Sequence, residues 1–429
     1  MEKKVSLVSL GCAKNLVDSE ILIGGLKKEN FQIIKESDNS DVIIINTCGF
    51  LNTAREESID TILECVELKN KNPEKKILVM GCFSERYGTD LVNEIPEVDK
   101  FFGTNDHNLV LSYLTGKEYK KDDPDYFRSI LTPRHYAYLK IAEGCDNVCS
   151  FCSIPMMRGL QVSDTLEKNL IEAQRLADNG AKELLIIAQD STSYGWDLNP
   201  KSSLHELLDV LENVKGLEWI RLHYAHPAHL HKEVIDRYSR LRKLAPYIDM
   251  PTQHGSDKIL KDMRRGLDSS GIKRRIDMLR KANNSIAIRT SIIVGFPGET
   301  DKEFRELCNF IQDVKFDRLG VFQYSEEEGT HGANAFKDDV PIEIKQERYN
   351  EIMMLQQKIN HKKNIDRLGK VEKVIVDFND QSGCSIARSY KDAPEVDNYV
   401  KINQELIVGK FYNVTIKEAY EYDVLGETI

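Results

Sequence analysis

The 429-residue sequence predicts an α/β protein in three pieces: an N-terminal three-layer domain on a parallel sheet, a central partial (β/α)6 barrel of the TIM type, and a small C-terminal antiparallel β-barrel. Three observations predict it. Short β-branched apolar runs alternate with helical stretches at the start of the chain, the pattern of a parallel sheet with right-handed crossovers. Six further strand-like runs alternate with helical ones in the middle. After Gly369 the period shortens to the alternation of small strands. At roughly 100–200 residues per domain, the length suits about three domains. The pattern divides them as residues 1–118, 131–340 and 366–429, with a polar helix over 341–365 before the last.

Composition narrows the class. With 59 Lys and Arg against 69 Asp and Glu, the net charge is −10. Phosphate contacts need clustered basic residues, so tight bulk nucleic-acid binding is not expected. No apolar run approaches the ~18 residues of a membrane span. The apolar run 5–10 is shorter than the roughly 7–15 residues of a signal h-region, and charged Lys14, Asp18 and Glu20 follow it, so a cytoplasmic protein is expected. Nine cysteines in a reducing compartment point to metal or catalytic use rather than disulfides.

In the N-terminal piece, runs 5–10, 42–45 and 77–80 read as buried strands. Helical patterns lie over 15–28, with Leu16, Ile23 and Leu26 on one side, and over 53–68, with Ala54, Ile59, Ile62 and Leu63 inward. Cys12, Cys48 and Cys82 each fall just past a strand, beside Gly11, Gly49 and Gly81. Parallel strands emit their C-terminal ends on one edge, where open α/β sheets bind ligands. Three thiols far apart in sequence therefore converge, and three thiolates suit an iron–sulfur cluster with one iron not held by cysteine. The bland alternative is three core cysteines. Cys65, at apolar helical spacing, is read as core, and so are Cys308 and Cys384 as structural residues.

The central piece carries the sharpest motif, Gly144-Cys145-Asp146-Asn147-Val148-Cys149-Ser150-Phe151-Cys152. So tight a loop grips a cluster from one side and leaves one iron open, to which the amino and carboxylate groups of S-adenosylmethionine could bind. Zinc would want a fourth His or Cys, and the loop has none. The loop follows the strand 136–141, at the end of a barrel where active sites lie. Further strands are expected at 183–188, 219–224, 247–250, 286–294 and 318–324, with helices over 166–178, 204–214, 233–241, 258–281 and 302–314. Gln189 and Asp190 close the second strand as a polar pair suited to the cofactor's ribose or amino end, or to simple capping. Gly295, closing the fifth strand, suits close approach to adenine or ribose, or a tight turn.

The Cys-x3-Cys-x2-Cys loop after a first barrel strand resembles the radical S-adenosylmethionine superfamily, and the three-cysteine domain before it resembles the methylthiotransferases. The ribosomal-protein type is suggested by Ser9-Leu10-Gly11-Cys12-Ala13-Lys14-Asn15-Leu16-Val17-Asp18-Ser19-Glu20, where the tRNA-modifying type has Gln-Met-Asn after the cysteine. Ile187-Ala188-Gln189-Asp190-Ser191-Thr192, Gln253-His254, Arg264-Arg265 and Tyr324-Ser325-Glu326-Glu327-Glu328-Gly329-Thr330 are similar to the same type. One departure is Ser163-Asp164, where Ser-Arg usually follows Arg158-Gly159. The resemblance implies two [4Fe-4S] clusters, one on Cys12, Cys48 and Cys82 and one on Cys145, Cys149 and Cys152. It implies S-adenosylmethionine against Phe151, Gln189, Asp190 and Gly295, and a TRAM domain at the C-terminus. It implies no metal on His223, His226, His229 and His231.

The implied reaction adds a methylthio group to the β-carbon of an aspartate in small-subunit ribosomal protein S12, free or on the ribosome, with an external reductant and a sulfur donor. That carbon carries an unactivated C–H bond, which demands cofactor radical chemistry. Rivals are a tRNA adenosine methylthiotransferase and a non-enzymatic iron–sulfur carrier. From Asp366 onward eight Lys and Arg face twelve Asp and Glu. This acidic tail suits a basic protein better than tRNA, with Asp392, Glu395 and Asp397 expected in an exposed docking loop.

Overall fold

The computed structural model describes residues 3–119 and 127–429. They form two compact units: Met1–Thr132 with Glu143–Asp146 and Ser153–Gln161, and Pro133–Ala142 with Asn147–Cys152 and Val162–Ile429.

The first unit is built on five parallel strands, β1 (Lys4–Ser9), β2 (Gln32–Ile34), β3 (Val42–Thr47), β4 (Lys76–Gly81) and β5 (Lys100–Phe101), in the order β2-β1-β3-β4-β5. The three expected strands are β1, β3 and β4; the two edge strands carry too few residues to make an apolar run. Alternation along β3 sends Ile43 and Ile45 to one face, against Ile62, Cys65 and Val66 of helix α2 (Asn52–Lys71). Val42 and Ile44 go to the other, against Leu22 and Leu26 of helix α1 (Ala13–Lys28). Helices on both faces make the expected three layers. Cys65 lies in that core. Leu63, expected inward, is exposed because Ile59, Ile62 and Val66 already fill the apolar stripe.

In the second unit six strands, Tyr136–Lys140, Glu183–Ile187, Trp219–Leu222, Leu244–Asp249, Ala287–Val294 and Arg318–Gln323, pair in parallel in chain order. This is the partial (β/α)6 barrel. The single helix expected over 258–281 is two, Asp257–Asp262 and Ser269–Ala282. Arg264 (φ +57°) and Gly266 (φ +74°) break it, and Asp268 Oδ1 caps the second helix by accepting from Gly271 N at 2.6 Å.

The tail is a closed five-strand barrel of Val371–Asn379, Ser385–Ser389, Val400–Ile402, Phe411–Ala419 and Val424–Thr428. It is not wholly antiparallel as expected: Val400–Ile402 runs parallel to Val424–Thr428. Residues 405–408 form no strand; Leu406 alone turns inward, while Ile407 and Val408 are exposed.

This small barrel packs on the N-terminal ends of the large barrel's strands. Trp219, Ala245, Tyr247 and Ala287 make one core with Ile375 and Ala393. Around it runs a ring of buried charge. Glu183 accepts from Arg221 Nε at 2.7 Å and pairs with Arg388 at 2.9 Å. Arg388 also binds Asp377, and Asp377 binds His135. The expected docking loop lies inside this joint. Asp392 is 1% exposed and held by Arg318; Asp397 accepts from Tyr247 Oη at 2.7 Å and faces Arg289; Glu395 accepts from Tyr136 Oη at 2.8 Å. Asp392 and Asp397 are therefore committed to the joint, which corrects the docking expectation for these two: desolvated carboxylates need buried partners, and Arg318 and Arg289 supply them, whereas Glu395 is exposed and holds its tyrosines from the rim.

The helix Ile342–Ile365 braces this unit. Its buried side is polar, with Arg348 on Glu299, Gln356 on the Phe316 carbonyl and Asn364 on the carbonyls of Tyr420 and Tyr422. Among the described residues no helix is long and apolar enough to cross a membrane.

Asp392→Ala strands the buried Arg318 charge. The expected loss is about 3–5 kcal/mol of stability, read as a lowered urea midpoint. An unmoved midpoint would mean that Arg318 finds another partner.

Candidate functional site

The C-terminal edge of the N-terminal sheet gathers three cysteines. Cys12 caps α1 and is exposed; Cys48 follows β3 and is buried; Cys82 opens helix α3 (Cys82–Glu94) and is buried. Burial pushes the Cys48 thiol up, and it pushes Cys82 up to about 12 against the opposing pull of Arg158. The three thiols act electrostatically on one another. The glycines are required by close approach: a Cβ on Gly11 (φ +88°) would lie 2.7 Å from Cys48 Cβ, and one on Gly49 2.9 Å from the Phe83 backbone.

Three cysteine thiols are a donor set that could hold an iron–sulfur cluster. Thiolates around one zinc would lie about 3.8 Å apart, given Zn–S bonds near 2.3 Å. Among the described residues, the group whose ligand atoms meet within 4.8 Å is Asp190, His226 and His229, not these cysteines.

Asn15 ties the edge together. Its Nδ2 donates to the carbonyls of Leu10 and Thr47, both at 2.9 Å, and its Oδ1 accepts from Cys82 Sγ at 3.7 Å and from Arg158. Arg158 also donates to Asp18 at 3.1 Å and Glu143 at 2.8 Å. Burial opposes the Arg158 charge, but Asp18, Glu143 and Cys82 outweigh it and keep the guanidinium ionised.

The second cysteine loop begins after the first barrel strand. Cys145 is buried and its N–H donates to the Gly159 carbonyl at 3.0 Å. A Cβ on Gly144 (φ +76°) would lie 2.1 Å from the Leu160 carbonyl oxygen. Cys149 and Cys152 are half-buried, with Cys152 N–H donating to the Cys149 carbonyl. Arg265 donates to Cys149 Sγ at 3.1 Å. Phe151 packs on Ile259, Met263, Phe296 and Tyr324.

Gln189 is half-buried at the barrel mouth, beside Asp190. Both Asp190 oxygens are engaged: Oδ1 accepts from Thr192 N–H at 2.9 Å, and Oδ2 from Asn147 Nδ2 at 2.9 Å and His229 Nδ1 at 2.7 Å. Burial raises its pKa, but the His229 hydrogen bond and the two imidazoles outweigh this and hold it below the usual carboxylate range. Asp190 thus holds Asn147 of the cysteine loop and His229 in place at the mouth. The same geometry disfavours a metal here. His226 Nδ1 accepts from Ala228 N–H at 3.2 Å, so Nε2 carries the proton. Burial and the Arg265 charge keep that imidazole neutral. His231 lies against Trp196 at a tilt, and His223 faces Asp249.

Gly295 closes the fifth strand in a tight turn. Its φ is +73°, its N–H donates to Glu299 at 2.9 Å, and the place of a Cβ is filled by Lys345 Cγ at 2.3 Å. The turn and the brace helix both require a glycine here.

Three known families match along the chain: one described as "Uncharacterized protein family UPF0004" over residues 4–103, the radical SAM superfamily over 139–311, and the TRAM domain over 368–429. Curated relatives named ribosomal protein uS12 methylthiotransferase RimO run nearly end to end. That of Christiangramia forsetii is 46% identical over 100% of this chain and 95% of its own length; that of Aquifex aeolicus is 46% identical over 99% and 96%. The chain belongs to the uS12 methylthiotransferase family. Two solved structures share its fold at 13% identity. The radical S-adenosylmethionine methyltransferase TsrM from Kitasatospora setae has a TM-score of 0.57, covering 78% of this chain and 77% of its own. The cobalamin-dependent radical enzyme OxsB has 0.52, covering 83% and 56%.

The family's motifs now have places. Asp164, standing where Arg is usual, forms a local surface pair with Lys168 at 2.6 Å, while Arg158 is the buried arginine of the cysteine edge. His254 is fully buried on Glu299. Sequence reasoning gave no separate role to Asn15, Arg158 or Arg265; a polar residue at fixed offset from each cysteine motif was the available signal.

Gly11→Ala forces a left-handed alanine against Cys48. We expect about 1–2 kcal/mol of destabilisation, seen as a lower thermal midpoint. Gly116→Ala meets no neighbour within 4 Å and serves as the control for the backbone cost alone; equal losses would remove the steric clash with Cys48 from the account.

Proposed function

We propose that this chain adds a methylthio group to the β-carbon of an aspartate in uS12, in the cytoplasm, with a sulfur donor and an external reductant. The observation that carries the reading is the pair of cysteine triads: Cys12, Cys48 and Cys82 at three adjacent strand ends, and Cys145, Cys149 and Cys152 in one loop after the first barrel strand. Each triad would hold a [4Fe-4S] cluster with one iron left open. When bound, the loop cluster supplies the electron that cleaves S-adenosylmethionine to a hydrogen-abstracting radical, and the edge cluster supplies the sulfur that is methylated and transferred.

The protein's own residues do the rest. Phe151, packed on the core, offers an apolar wall, and Gln189 a polar contact, to the cofactor at the mouth. Asp190 holds Asn147 of the cysteine loop and His229 in fixed positions, so the loop approaches the mouth in one geometry. Arg265 donates to the Cys149 sulfur and lowers the cost of gathering thiolates.

Cys145→Ala should abolish 5′-deoxyadenosine formation while about half the iron remains. Cys48→Ala should keep 5′-deoxyadenosine formation and lose methylthiolation of uS12. Cys65→Ala should keep the iron and cost about 1 kcal/mol. Equal loss of both activities in both folded variants would contradict separate roles. Mass spectrometry of uS12 and of bulk tRNA from a deletion strain separates the protein substrate from the tRNA rival: an unmodified tRNA adenosine beside intact uS12 would overturn this reading.

A further inference from the structure

We propose that Arg158 is a positioning residue of the N-terminal cluster, donating to the Cys82 sulfur and setting the cluster's reduction potential. This rests on the reading that Cys12, Cys48 and Cys82 hold a cluster. Arg158 lies six residues beyond Cys152 in sequence, yet belongs to the N-terminal unit. Its side chain is 2% exposed and shares the Asn15 Oδ1 acceptor with Cys82 Sγ, which brings guanidinium and thiol side by side.

Four further groups fix the guanidinium. Asn15 Oδ1 accepts from it, Asp18 Oδ2 lies at 3.1 Å and Glu143 Oε1 at 2.8 Å, and the Cys12 thiol acts on it electrostatically. Asn15 is shared, because its Oδ1 also accepts from Cys82 Sγ at 3.7 Å. The guanidinium is a rigid fork, and two carboxylates with one amide hold it while a further N–H is left for sulfur. Hydrogen bonds to cluster sulfur and local net charge are the levers by which a protein sets such potentials. Three cysteines, which a bound cluster would hold as thiolates, and two carboxylates gather at this edge, and Arg158 stands between the two sets. Removing it favours the cluster's less negative, oxidised form.

The test uses the full chain with Cys145, Cys149 and Cys152 all changed to Ala, reconstituted anaerobically with iron and sulfide, so that only the N-terminal cluster is read. Redox titration followed by electron paramagnetic resonance measures the reduced-to-oxidised ratio at a fixed potential. Arg158→Gln should lower that ratio about tenfold, equivalent to about 59 mV for one electron. Arg158→Lys, which keeps the charge, should stay within about threefold of the parent, a shift of roughly 30 mV on the same scale. If Arg158→Gln does not fold, the double variant Arg158→Gln with Glu143→Gln is read instead; it keeps the local net charge and removes only the N–H donor to sulfur, so the ratio should fall in the same direction by a smaller factor. An unchanged ratio in the Gln variant overturns the proposal, as does a Lys variant that falls as far as Gln. A parent that holds no iron would sink the cluster reading itself, a result distinct from both.

Discussion

Glu183 is completely buried, and it holds two arginines. Arg221 reaches it from the neighbouring strand of the large barrel and Arg388 from the small one. A carboxylate removed from water survives only with such partners, and each partner is itself buried and stranded without it. The rest of the second unit is arranged around this arrangement. Asp377 satisfies Arg388 from the other side, Arg221 donates onward to the Tyr390 carbonyl, and Arg318 and Arg289 repeat the pattern with Asp392 and Asp397. The charges sit at the strand beginnings, so the chemistry is left to the strand ends.

That division of labour recurs in both units. In the N-terminal sheet, β-branched side chains fill two cores, and the strand C-termini carry the thiols. In the barrel, the floor is closed by ion pairs while Asp190, His229, Arg265 and the cysteine loop occupy the mouth. Parallel strands make this possible because all their C-terminal ends face one way.

Much of this was legible in the sequence. Three β-branched runs, each ending in a glycine beside a cysteine, define the strand-end triad with little ambiguity, and the loop cysteines need no structure to be noticed. Other features were hidden for physical reasons. The edge strands Gln32–Ile34 and Lys100–Phe101 are too short for a periodic signal. The helix break at Arg264 lies within apolar spacing that runs on from Ile259 and Met263 to Ile272 and Ile276. Arg158 could not be assigned because Asn15 and Asp18 stand about 140 residues before it. Asp392 and Asp397 read as surface because acids usually are; their arginine and tyrosine partners come from strands whose apolar content concealed the polar ends.

The closed floor also bears on how the chain is made. Synthesis delivers the N-terminal segments first, and domains commonly fold as they emerge. Here Glu183, Arg221, Arg289 and Arg318 emerge well before Asp377, Arg388, Asp392 and Asp397. Until the last segment of the chain is released, Glu183 has Arg221 and Arg289 has Asp249, but Arg318 lacks Asp392, and the strand beginnings stay wet. The strand beginnings of the barrel are therefore covered only when the last part of the chain docks, and a chain truncated before the tail would leave that floor open to water.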